Sequence, residues 1–355
     1  MNKKNRWYLL LAFVLGLLVI GNEMRTVSWQ DITREFFIIN WAWILLAVCG
    51  MLIHWGIEAS IIQLFLRRTN PGFSFKSSYR IPLIEHLFNA ITPFSTGGQP
   101  AQIIVLSKSG VDMGVATSVS LMKFVVYQVW IVINFLFCLV FGYSYLAKDL
   151  PQLGILIVLS FLIHLVVVIV LLMIMYWYTF TQKILDFIFK GIRHVKSGEA
   201  TERLYDKTTA KMKNFYDESR YMKNQPGLMF KASVLTVLQL IAYYIVPYFI
   251  LRGLGITDMS VIHVIVLHAF IILFISLFPI PGGIGGAEYS FKLLFGTFIA
   301  TQSKLVLAIF LWRVVTYYLG IVLGLIALTI KPKPYINPKA QSVDIKSKSK
   351  VEAIL

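Results

Sequence analysis

Apolar residues run almost unbroken through residues 7–21, 36–66, 115–146, 152–178, 230–251 and 304–330, with polar or charged links between them. A helix needs about 20 apolar residues to cross a bilayer, so each run predicts a membrane span. The run 7–21 is short for that role, and 36–66 is long enough that it must tilt or turn along the interface. Trp41 and Trp43 sit near one end of the second run, where an aromatic belt is expected. Runs 115–146 and 152–178 are joined by only five residues, which makes them antiparallel neighbours. Lys3, Lys4 and Arg6 before the first run resemble the start of a signal peptide. Gly21-Asn22-Glu23-Met24 offers no small-x-small cleavage site, so the reading is a retained first span.

Two stretches break this pattern. Residues 81–106 begin as an apolar helix and are interrupted by Thr92-Pro93-Phe94-Ser95-Thr96-Gly97-Gly98-Gln99-Pro100. Residues 259–299 do the same around Pro279-Ile280-Pro281-Gly282-Gly283-Ile284-Gly285-Gly286-Ala287-Glu288. Pro93 and Pro100 with paired glycines between them cannot continue one helix, and the second stretch is broken likewise by Pro279 and Pro281 with the glycines that follow them. Broken backbone at membrane depth is tolerated only inside protein or against a polar cavity.

Composition narrows the class. Hydrophobic residues are 57% of the chain and charged residues 14%, which excludes a soluble enzyme, a disordered chain and a disulfide scaffold. The fold class expected is an all-α polytopic membrane protein. Cys49 and Cys138 both lie in apolar runs and read as small core residues. The formal net charge of +16 is concentrated in particular links. The N-terminus, residues 67–80, the segment 179–231 (eleven Lys and Arg against six Asp and Glu) and the tail from Lys331 are basic. The positive-inside rule makes those links cytoplasmic. The segment 179–231 is expected to form amphipathic helices on the membrane surface, or a solvated connector.

Threading the spans with this polarity gives each broken stretch its entry and exit on one side, 81–106 on the cytoplasmic side and 259–299 on the outer side. The order span, broken hairpin, span therefore occurs twice with opposite sidedness. The division expected is 1–35 for the first span and outer loop, 36–146 for one repeat, 147–178 for a linking span, 179–229 for the basic segment, 230–330 for the inverted second repeat, and 331–355 for the basic tail. Inverted halves with matching broken segments point to a transporter's substrate site.

Ionisable groups inside the bilayer are costly and normally face a cavity or a partner. The candidates are Glu58, Glu85, His86, Lys123, His164, His263, His268, Glu288, Lys292 and Arg313. Glu288 with Arg313 is the best pair, as a functional gate or as a structural lock of the hairpin. Lys123 is expected to pair with Glu58 or Glu85. His164 reads as a satisfied interior histidine, and His263 and His268, five apart, do not share a face at metal-ligand spacing. Broken hairpins expose helix N-termini that attract anions, so Gly97, Gly98, Gln99, Pro100, Pro281, Gly282, Gly283 and Gly285 join Lys123, Glu288 and Arg313 as the substrate-binding set. Glu58, Glu85, His86 and Asn89 are secondary candidates. A phosphate-binding G-x-x-x-x-G-K-[ST] loop, H-E-x-x-H and C-x-x-C do not occur, and neither a cofactor nor a metal is expected.

The motif Thr92-Pro93…Gly97-Gly98-Gln99-Pro100, the motif Pro279-Ile280-Pro281-Gly282-Gly283-Ile284-Gly285…Glu288, and Arg313-Val314-Val315-Thr316-Tyr317-Tyr318-Leu319-Gly320 resemble the signatures of a bacterial membrane family. It is the transmembrane, flippase-like part of lysylphosphatidylglycerol synthase, the multiple peptide resistance factor. The resemblance runs from about residue 7 to 330 and implies lipid translocation between leaflets of the plasma membrane. It implies no lysyl transfer here, because the aminoacyl-transferase domain of full-length members is not expected in this chain. Gln99 stands where many members carry an acidic residue, so the headgroup charge stays open. The partners expected are membrane lipids with anionic or phosphate-bearing headgroups, with a homo-oligomer left open and nucleic acid excluded. The competing class is a membrane-embedded lipid transferase, for which Glu85-His86 is the acid–base pair available.

Overall fold

The computed structural model describes residues 14, 21, 25, 27–149, 151–195, 198–276, 278–331 and 335. The first predicted span, 7–21, and almost all of the basic tail lie outside the described residues. The described part is helical, with no strand among the described residues. Among the described residues, five helical segments are long and apolar enough to cross a membrane: Trp41–Leu66, Met113–Val140, Val158–Tyr176, Pro226–Gly253 and Gln302–Thr329. The protein is a polytopic helical membrane protein.

The long run 36–66 is divided between two helices. α1 (Trp29–Phe37) ends before Ile38, and α2 (Trp41–Leu66) restarts where the Asn40 side chain accepts from the Ala42 N–H at 3.2 Å. An Asn cap supplies one of the acceptors that a helix start lacks, so a polar residue inside an apolar run moves the boundary. α3 (Phe75–Ile91) starts earlier than its apolar run because Ser74 caps the Ser77 N–H. A 3₁₀ turn, Pro93–Ser95, separates it from α4 (Gly98–Lys108). α5 (Met113–Asp149) and α6 (Pro151–Tyr176) are the antiparallel pair. The basic segment forms α7 (Tyr178–Val195) and α8 (Glu199–Lys223).

The element order then repeats. α9 (Pro226–Tyr244) and α10 (Val246–Gly253) make one span, with Pro247 at the start of the second part. α11 (Val261–Ile275) is capped by Ser260 on the His263 N–H, the same position that Ser74 serves in α3. A 3₁₀ turn, Pro281–Gly283, leads to α12 (Gly286–Phe295). The last span is α13 (Gln302–Arg313) and α14 (Leu319–Thr329), joined by a π turn at Val314–Tyr318. At 1.5 Å per residue, α3, α4, α11 and α12 are all too short to cross a bilayer of about 30 Å.

The core lies where the two sets of helices meet. α2 packs along α9 and α10, and α3 packs along α14. Buried Trp55, Phe270, Phe291 and Trp312 fill this interior. Gly320 and Gly324 let α14 approach α3 closely, since a β-carbon on Gly324 would overlap the Leu83 carbonyl and Leu87. Small residues one turn apart serve membrane helices in this way. The two 3₁₀ turns pack against each other. α6 is the outlying span, with Leu159, Leu162, Ile163 and Val166 exposed on its surface.

Candidate functional site: a polar cavity between two broken helices

A cavity of about 740 Å³ opens between the two 3₁₀ turns and the long helices around them. That falls within the ~300–1,000 Å³ of small-molecule sites. Two ionic clusters face it. In the first, Lys123 of α5 donates to Glu58 of α2 and, at 2.5 Å, to Glu85 Oε2 of α3. Gln239 of α9 adds a bond from Nε2 to Glu58 Oε2 at 3.1 Å, and its carbonyl holds His54 Nδ1 at 3.0 Å. Four helices thus supply one network. The α2 residues His54 and Glu58 share a face because they are four apart.

In the second cluster, Arg313 Nε donates to Glu288 Oε1 at 2.7 Å, and Nη1 reaches the Gly282 carbonyl at 3.2 Å. The other carboxylate oxygen of Glu288 accepts from the Gly285 N–H at 2.7 Å. Glu288 therefore caps its own helix while it neutralises Arg313. Both side chains are at most 5% exposed. The Arg313 guanidinium also lies over Tyr317, at 5.1 Å from the ring centre, a favourable cation–aromatic contact. The Tyr317 hydroxyl donates to the Ala90 carbonyl at 3.0 Å, which ties the last span to the end of α3.

Gly282 and Gly283 adopt φ of 65° and 60°, a region open to glycine at no steric cost. The Tyr317 ring lies directly over Gly282, where a β-carbon would overlap it. In the first turn the same backbone region is occupied by Phe94 (φ 52°) and Ser95 (φ 53°). Non-glycine residues there store of order 1–3 kcal/mol of strain each.

Of the sequence-predicted set, Gln99, Pro100, Lys123, Gly282, Gly283 and Arg313 line the cavity, as do Glu58, Glu85, His86 and Asn89. Gly97, Gly98, Pro281, Gly285 and Glu288 lie behind that wall. The amides expected to be free for an anion are partly taken. Gly97 N–H is held by Thr92 Oγ1 and Gly98 N–H by Asn89 Oδ1, both at 2.9 Å. His268 is fully buried, accepts from Trp312 Nε1 at 3.1 Å and meets the Tyr244 carbonyl at 3.2 Å, so it is a neutral structural ring. His164 reaches Ser276 Oγ at 3.3 Å through Nε2, while its buried Nδ1 has no partner among the described residues.

The family model of the lysylphosphatidylglycerol synthase TM region matches residues 7–324. The chain belongs to this family. Among proteins to which this lysylphosphatidylglycerol synthase TM-region chain is similar is a "UPF0104 membrane protein" of Archaeoglobus fulgidus. The two are 24% identical over 325 residues, covering 90% of this chain and 94% of that protein. The match spans both broken helices and both ionic clusters. Sequence reasoning missed Gln239, which binds Glu58 from 181 positions away. A lone glutamine in an apolar run, Leu238-Gln239-Leu240, was the signal available.

Proposed function

We propose that the protein is a lipid translocase that moves a phospholipid or a related lipid between leaflets of a plasma membrane. The headgroup passes through the cavity while the acyl chains remain in the bilayer. The observation that carries this reading is the convergence of both broken helices and both buried ionic clusters on one cavity among membrane-spanning helices. Buried charge in a membrane protein marks a path for polar cargo, and paired broken helices mark where that path is gated. In this reading the two halves are inverted and the basic links face the cytoplasm. Lys123 and Arg313 meet the headgroup phosphate in passing, and their glutamate partners keep that binding weak enough for release. The reading is tested with purified protein in liposomes carrying a labelled phospholipid. Translocation without change in the lipid's mass is expected. A chemically altered lipid would favour a membrane-embedded transferase.

A further inference from the structure

We propose that the Glu58–Lys123–Glu85 cluster is a proton-binding site, with Glu85 as the proton carrier, and that its protonation is coupled to lipid passage. The coupling rests on the translocation reading; the proton site does not. The argument starts from charge. Two carboxyl groups share one ammonium, with Lys123 bonded to both. Both carboxyl groups are thus held against the same ammonium nitrogen. Two ionised carboxylates so placed repel, and a shared site of this kind retains a proton on one of them. The proton removes that repulsion.

Among the described residues, no second lysine or arginine is bonded to the cluster. His54 faces it from α2, one turn before Glu58, with Nδ1 on the Gln239 carbonyl. His86 extends from α3 with its ring against Gly320. Tyr127 of α5 and Tyr243 of α9 add neutral hydroxyls to the same wall. Arg313 is consumed by Glu288 and the carbonyls of Gly282 and Gly283.

The two glutamates are not equivalent. Both oxygens of Glu58 accept, one from Lys123 and one from Gln239, so Glu58 is held as the anion. Glu85 accepts from Lys123 through Oε2 alone, which leaves Oε1 to carry the proton. The site is reachable, since Lys123, Glu58 and Glu85 keep 10%, 12% and 12% of their side-chain surface exposed and line the cavity. The proton moves from cavity water to Glu85 and back, and no other bond changes. With the proton bound the cluster is neutral and admits a phosphate-bearing headgroup. Without it the cluster is negative and repels one.

Two measurements test this. Infrared difference spectra of the purified full chain in nanodiscs, recorded across a pH series, should show a protonated-carboxyl band that survives above about pH 5.5, where ordinary carboxyls are ionised, and disappears at higher pH. Glu85→Gln should abolish that band. In vesicles of phosphatidylglycerol and phosphatidylcholine with a trapped pH dye, passage of labelled phosphatidylglycerol through the wild type should change the internal pH. Glu85→Gln should remove the pH change. Because the wild-type spectrum alone decides the first point, a variant that fails to fold does not rescue the idea. Absence from the wild type of any carboxyl band that survives above about pH 5.5 would overturn the proton site. Lipid crossing without any pH change would overturn the coupling and leave translocation standing. A titrating band with no lipid crossing at any pH would keep the proton site and overturn the translocation reading.

Discussion

Glu288 shows how much one side chain carries in this protein. It neutralises a buried arginine with one oxygen and caps a helix with the other. Removing one partner of a buried ion pair leaves an unpaired charge and costs about 3–5 kcal/mol. Glu288→Ala is expected to lose that much stability, read as a lower unfolding midpoint in detergent. The double variant Glu288→Ala with Arg313→Met is expected to recover most of the loss, because no charge is then left unpaired. If the pair also gates the cavity, stability returns in the double variant and translocation does not. Gly282→Ala is a second case at this scale. It would place a methyl group into the Tyr317 ring at a φ that alanine resists. A measurable loss of both stability and transport is expected, whereas Gly72→Ala, on an open turn, is expected to lose stability only. The pairing of Lys123 with Glu58 or Glu85 was legible in the sequence, because a lysine in a span needs a carboxylate. That it takes both at once was not, since residue spacing fixes faces of one helix and says nothing of how separate helices meet. Gln239 was invisible for the same reason.

At the scale of elements, the breaks were legible and the boundaries were less so. Proline and glycine stop helices by removing a donor and freeing the backbone, and both 3₁₀ turns fall where those residues cluster. Caps are local hydrogen bonds that hydropathy does not register. Asn40 therefore splits an apolar run that reads as continuous, and Ser74 extends α3 back into a stretch that reads as loop. Ser74→Ala and Ser260→Ala are each expected to cost about 1 kcal/mol, seen as a matched drop in midpoint for the two halves. The π turn at Val314–Tyr318 had no sequence signal at all. It follows Arg313 directly and sets the register that brings Tyr317 over Gly282. Such turns add a residue to a helix and recur at functional sites. The long basic segment is helical, and α7 exposes Phe180, Ile184, Phe187 and Ile188 at helical spacing. Against anionic vesicles each basic residue near the surface contributes of order 1 kcal/mol. Neutralising Lys207, Lys211 and Lys213 in α8 together is expected to reduce transport modestly and to flatten its dependence on salt. An unchanged salt response would make the segment a plain connector.

For the whole molecule, the polytopic class followed from composition and run length alone, because a chain this apolar has no soluble packing available to it. The expectation of two repeats came from two proline–glycine breaks at matching places between spans. Sidedness rests on the distribution of Lys and Arg and is open to direct test. A single cysteine in α8 is expected to resist an impermeant thiol reagent in intact cells and to react after permeabilisation. The central claim is that a headgroup crosses through the cavity between the broken helices. The measurement that bears on it most directly is transport of a labelled phospholipid by purified protein in liposomes, compared with a variant whose cavity is filled. Gln99→Trp introduces a large ring at the cavity wall from the first turn of α4. Wild type is expected to carry the label across with unchanged lipid mass, and Gln99→Trp to fold normally and fall to the rate of protein-free vesicles. Equal rates for wild type, filled variant and protein-free vesicles, or undiminished transport by a filled cavity, would contradict the account.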